Sequence, residues 1–281
     1  MIIVYIFAFY CLSVQATPEC PMQGKIISSL LRKELICLQK RMIPFKTPHT
    51  IQQTIHKLIH DPCITESTRR IRTEANNITW EQLEQHNTSL LLVGFGSLMH
   101  IKSPINSPFQ PNINIPCLVF GVKRLYSMIH PHPDRSCIGL PNKEYEHEQL
   151  QLDTNITGNI HDYANGILLS FDISSPAYQT LKKREQYYDL VPITAIDYRS
   201  LNSQPRTINA YILNTQTNTR PYKKKPHVLY NQLVLNGAYT IEHNGNPGFI
   251  SLFLDSTFLP DGTTTVRDWL IQQKDVDCSS P

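Results

Sequence analysis

From about residue 22 to residue 88 the apolar residues recur every third or fourth position, and from Leu90 onward they cluster in short, β-branched runs. The first pattern predicts helices. Ile27, Leu30, Leu31, Leu35 and Leu38 form one stripe, and Ile51, Ile55, Leu58 and Ile59 form a second after Thr47-Pro48, an N-cap and first-turn proline. Asp61-Pro62 repeats that start signal for a third helix, and Thr79 opens a short fourth. The second pattern predicts strands at LLLVGF, NIPCLVFGVKRLYSMI, NGILLSFD, LVPITAIDY and RTINAYIL. Helices are expected at about 176–188, after Pro226, and over 249–258, while 130–160 shows little periodicity and reads as a loop. The chain is therefore α+β, with strands in the middle and helices at both ends.

Composition narrows the function classes. A chain of 281 residues with 41% hydrophobic and 17% charged residues is an ordinary globular protein. A net charge of +3 does not point to nucleic acid, and Lys223–Lys225 between two prolines reads as a solvated loop. The first sixteen residues carry no charged side chain and are continuously apolar through Leu12. Val14 and Ala16 sit at the −3 and −1 positions of a signal-peptidase site, so residues 1–16 read as a signal peptide. Export to a secreted or periplasmic location follows, with no stable membrane insertion after cleavage. Cleavage removes Cys11 from the seven cysteines, and the remaining even set is compatible with disulfides of unassigned pairing. The wide spacings offer no zinc site, and the His56/His60 pair lacks the glutamate of a zinc-protease helix. Neither a metal nor a cofactor is expected.

Two stretches carry chemistry. LLLVGFGSLM runs from a strand into a glycine-framed turn. It lacks the third glycine of a dinucleotide loop, the Gly-Lys-Ser/Thr of a phosphate loop and the flanking glycines of a serine-hydrolase elbow. What remains is a turn that aims backbone amides at an anion or a carbonyl oxygen, or an ordinary strand exit. The second stretch is SSPAYQTLKKREQYYD. Ser175 caps a helix, and Tyr178, Leu181, Glu185 and Tyr188 share one face, with Lys182, Lys183 and Arg184 turned to water. A carboxylate stands where the pattern calls for an apolar residue. Burial would raise its pKa and suit it to proton transfer, whereas a place at the rim or an internal ion pair would make it structural.

Taken in order, GFGSLM (94–99), GVKR (121–124), NGILLSFD (165–172), KREQYYDLVPI (183–193) and PHVLYNQLVLNG (226–237) resemble the γ-glutamylcyclotransferase-like family, which includes the ChaC and AIG2-like proteins. The resemblance covers about residues 90–240. It implies a γ-glutamylcyclotransferase-like mixed β-barrel with flanking helices over 89–281, preceded by a helical extension over 17–88. It also implies release of 5-oxoproline from a small γ-glutamyl substrate, as the substrate's own amine attacks its γ-carbonyl. By position, Glu185 would be the general base and acid. Phe95, Gly96, Ser97 and Leu98 would form the substrate cradle, with Tyr230 near the pocket. Two positions depart from the family pattern. Phe95 replaces the usual tyrosine of Tyr-Gly-Ser, and Tyr187 replaces the usual glycine before Tyr-Asp. A non-catalytic binding protein on the same fold is the alternative, and Glu185 locked to Arg184 or a pocket plugged by Tyr187 would favour it.

Overall fold

The computed structural model describes residues 26–74, 77–100, 110–129, 140–141, 147–215, 223–273 and 276–278. The proposed signal peptide lies outside them. Four helices come first: α1 (Ser29–Lys40), α2 (His49–Ile59), α3 (Pro62–Glu74) and α4 (Trp80–His86). Their starts follow from local chemistry. The Ser28 hydroxyl accepts from the Leu31 amide at 3.2 Å, Asp61 accepts from Cys63 and Ile64, and Thr79 forms a reciprocal capping box with Gln82. The buried residues Leu35 and Ile36 on α1, and Ile51, Ile55 and Leu58 on α2, join the same apolar core as the strands that follow.

Those strands are β1 (Ser89–Gly94), β2 (Ile113–Phe120), β3 (Val122–Ile129), β4 (Glu148–Ile156), β5 (Tyr163–Asp172), β6 (Asp189–Asp197) and β7 (Thr207–Asn214). Five of them close a barrel in the order β1-β5-β2-β6-β7. All its pairings are antiparallel except the closure, where Leu92 and Val93 pair in parallel with Tyr211 and Ile212. Strand β5 is buried along almost its whole length, because one face fills the barrel and the other is covered by packed elements. Strands β3 and β4 form a second, smaller sheet whose edges are completed by Lys225–Pro226 and Thr257–Phe258.

Two expectations need correction. The run NIPCLVFGVKRLYSMI is not one strand, because the chain turns at Gly121 (φ +77°) and its halves enter different sheets. Within the supposed loop, residues 148–156 are a strand. Its buried positions include Asp153 and Thr154 beside Leu150 and Leu152, so polar side chains mask the apolar alternation. Three helices follow or flank the sheets: α5 (Pro176–Glu185), α6 (Val228–His243) and α7 (Phe249–Ser256). A further helix, α8 (Val266–Gln272), was not expected. Cys37 on α1 is disulfide-bonded to Cys278, and Lys40 donates to the Gln273 and Val276 carbonyls, so the C-terminal segment is tied to α1. Among the described residues no helix is long and apolar enough to cross a membrane.

Candidate functional site

The site is built where α5 ends beside the turn that follows β1. The Ser175 hydroxyl accepts from the Tyr178 amide, Pro176 occupies the first turn, and Tyr178, Leu181 and Glu185 are the buried positions. The helix stops at Glu185, three residues short of the predicted end. The Tyr188 amide closes back on the Glu185 carbonyl at 3.0 Å, and β6 begins at Asp189. Glu185 is thus the last helical residue and is only 7% exposed. Burial pushes its carboxyl above the usual range, against an opposing pull from the Arg184 cation. The C-terminal end of a helix dipole also disfavours a carboxylate.

Arg184 does not simply point into water, as the helical spacing predicted, but is partly buried. From the last turn of the helix its side chain reaches Glu185 and the turn after β1. Its Nε lies 3.0 Å from Glu185 Oε1, and its Nη2 donates to Ser97 Oγ at 2.5 Å. One guanidinium therefore bridges the predicted base and the predicted cradle. Tyr187 is 44% exposed and stands outward, so it does not fill the space beside Glu185.

The turn starts from the buried Phe95 and runs through a 3₁₀ segment, Gly96–Met99, in which Leu98 and Met99 are also buried. Gly96 adopts φ +67°, and a β-carbon there would overlap the hydroxyl of Tyr230. Tyr230 comes from the first turn of α6, which His227 caps, and its buried hydroxyl lies against Gly96, near the backbone amides of Ser97 and Leu152. Burial pushes this phenol up, the nearby Glu185 carboxylate adds to that, and the two amides and Arg184 oppose it. The structure thus brings Phe95, Gly96, Ser97, Leu98, Tyr230 and Glu185 into one neighbourhood.

Tyr188, which shares the predicted face with Glu185, and His100 join the neighbourhood together with residues that the sequence did not single out. Tyr188 is raised by burial first, then by the Glu185 and Asp153 carboxylates and by Tyr230, so these groups lie within one another's fields. Asp153 on β4 is buried and accepts from the Thr154 and Thr215 amides and the Thr215 hydroxyl, and burial still pushes it up to about 6. Behind Tyr230, the ring of Tyr126 packs edge-on at 6.3 Å. The Tyr126 hydroxyl donates to Asn231, which donates to Gln39 of α1. His100, after the turn, is held down by burial. Among the described residues, no group of three His, Cys, Asp or Glu side chains is placed to hold a metal ion.

Among the described residues, one surface groove of about 840 Å³ lies between α3 and the barrel, and another of about 500 Å³ runs along Lys182, Gln186 and Tyr188. Neither is lined by Glu185 or by the Gly96–Met99 turn.

No family model and no curated protein matches the chain. Among solved structures it is similar to a gamma-glutamyl cyclotransferase, with 11% identity and a TM-score of 0.37 over 57% of this chain and 82% of that one. It is similar to YkqA from Bacillus subtilis at 14% identity and TM-score 0.37, over 59% and 58% of the two chains. A gamma-glutamyl cyclotransferase specific to glutathione, from yeast, matches at 12% identity and TM-score 0.31, over 46% and 69%.

Proposed function

We propose that the protein releases 5-oxoproline from a γ-glutamyl amide or peptide, with Glu185 carrying the protons. The observation that supports this most is a buried carboxyl, raised by burial, beside a glycine turn and a buried tyrosine hydroxyl. The reaction needs a base that can take a proton from an ammonium and return it to a departing amine, and a carboxyl poised above its usual range serves both steps.

In the proposed cycle Glu185 takes a proton from the substrate's α-ammonium. The freed amine attacks the γ-carbonyl carbon, forming the ring C–N bond. As the tetrahedral centre collapses, the original amide C–N bond breaks, and the protons lost by the attacking nitrogen pass through Glu185 to the leaving amine. No covalent enzyme intermediate is required, because the nucleophile belongs to the substrate. The Tyr230 hydroxyl, buried against the glycine turn, is placed to donate to the developing oxyanion. Phe95, Gly96, Ser97 and Leu98 shape the wall on that side.

A binding protein that has lost turnover is the second reading, favoured by the 3.0 Å ion pair between Arg184 and Glu185. The two readings separate on product. Purified protein incubated with γ-glutamyl amino acids and glutathione should accumulate 5-oxoproline and free amine in equal amounts. Binding of these compounds without either product would leave the second reading standing.

We further propose that the chain is exported and cleaved after Ala16. The Cys37–Cys278 disulfide supports an oxidising compartment. N-terminal sequencing of the protein recovered outside the cytoplasm should begin at Thr17, and an intact Met1 would argue against cleavage.

A further inference from the structure

The pairing of Arg184 with Glu185 is usually a reason to doubt a catalytic carboxylate, yet the charges fit the substrate class proposed above. An α-amino acid head group carries an ammonium and a carboxylate on one carbon. Arg184 and Glu185 present a cation and an anion 3.0 Å apart. The two pairs are complementary crosswise. Binding would exchange one ion pair within the protein for two between protein and substrate, setting the ammonium on Glu185 and the carboxylate on Arg184.

We infer that Arg184 selects substrates with a free α-carboxylate, by leaving Glu185 for that carboxylate as the substrate enters. The inference rests on the proposed cyclisation and adds to it the residue that chooses the substrate. Three observations carry it. The guanidinium already holds one carboxylate, and its planar fork matches another of the same shape. Its other arm reaches Ser97 Oγ at 2.5 Å, so the cation sits against the turn that faces Tyr230. Its neighbour Lys182 is turned to Glu81 and Glu84 at 3.1 and 3.0 Å, away from this role. The exchange has a consequence for the base. Arg184 is the group that holds the Glu185 carboxyl down, so its departure leaves a stronger base at the moment an ammonium arrives.

The test compares two substrates and three proteins. One substrate is a γ-glutamyl amino acid, and the other is its analogue with the glutamyl α-carboxylate converted to a primary carboxamide. Wild-type protein should prefer the carboxylate by roughly ten- to a hundredfold in kcat/KM, the worth of a charge-assisted hydrogen-bonded pair. In Arg184→Gln the preference should collapse to about one, and Arg184→Lys, which keeps the charge without the fork, should fall between. Circular dichroism melts establish that each variant is folded, and Arg184→Lys carries the test if Arg184→Gln does not fold. A folded variant that makes 5-oxoproline and keeps the full wild-type preference would overturn the role of Arg184 while leaving the cyclisation intact. If wild type makes no 5-oxoproline, the functional reading fails. Titration calorimetry with the same two ligands then decides on Arg184: a carboxylate preference lost in the variants supports it, and an unchanged or absent preference overturns it.

Discussion

Replacing Gly96 with alanine probes the geometry on which the site depends. Two costs are expected. A non-glycine residue at φ +67° sits in the left-handed region, at about 1 kcal/mol. The new β-carbon would also overlap the Tyr230 hydroxyl, displacing a buried, packed side chain. Overpacking of this kind costs about 2 kcal/mol, so the variant should lose about 3 kcal/mol in urea denaturation. Tyr230→Phe makes the cause visible. Without the hydroxyl, the nearest ring atom is Cζ at 3.4 Å, an acceptable contact. Gly96→Ala on that background should then cost only the backbone term of about 1 kcal/mol, giving a coupling of about 2 kcal/mol between the two positions. Strictly additive costs, or a single-variant loss below about 0.5 kcal/mol, would refute the proposed closeness of turn and tyrosine.

Two further substitutions test the surroundings. Arg124 is fully buried, bonds Asn165, Thr257, Ser256 and the Phe253 carbonyl, and caps the C-terminal end of α7. Arg124→Met should destabilise by about 3 kcal/mol in chemical denaturation by stranding those acceptors, and Arg124→Lys should not restore it, because an ammonium cannot span them. Asp153 has a carboxyl near 6 in the fold against an ordinary value of 3.8, so folding binds its proton more tightly. Its cost is absent below pH 4, grows between 4 and 6, and reaches about 3 kcal/mol above that. Asp153→Asn should therefore stabilise the protein at pH 8 and be neutral at pH 3.5 in thermal melts, and an unchanged gap across that range would contradict the raised carboxyl.

Much of the fold was legible because its signals are local. Ser28, Thr79 and Ser175 announce their helices through side chains that bond amides three residues away. The apolar stripes of α1 and α2 mark the faces that are buried. Helix α8 carried a similar signal, the Thr265–Asp268 capping box, and could have been found by it. Strand β4 was hidden because Asp153 and Thr154 are buried by long-range partners, Thr215, Asn214 and the Leu213 carbonyl, that no local pattern reveals. Closure of the barrel, between strands more than a hundred residues apart, was accessible only through the family resemblance. At the site, Glu185 stood out as an acid on an apolar stripe. Arg184 was misjudged because an ideal helix wheel does not register the partners its side chain reaches, Glu185 and Ser97.

The most direct test of the central claim is 5-oxoproline release by wild type and Glu185→Gln, run side by side across pH on γ-glutamyl amides. The variant keeps the shape and removes the proton carrier. Its turnover should fall by about a hundredfold to ten-thousandfold with folding intact, and the acid limb of the wild-type profile should lie above the ordinary carboxylate range. Equal turnover in the two proteins would contradict the assignment of Glu185.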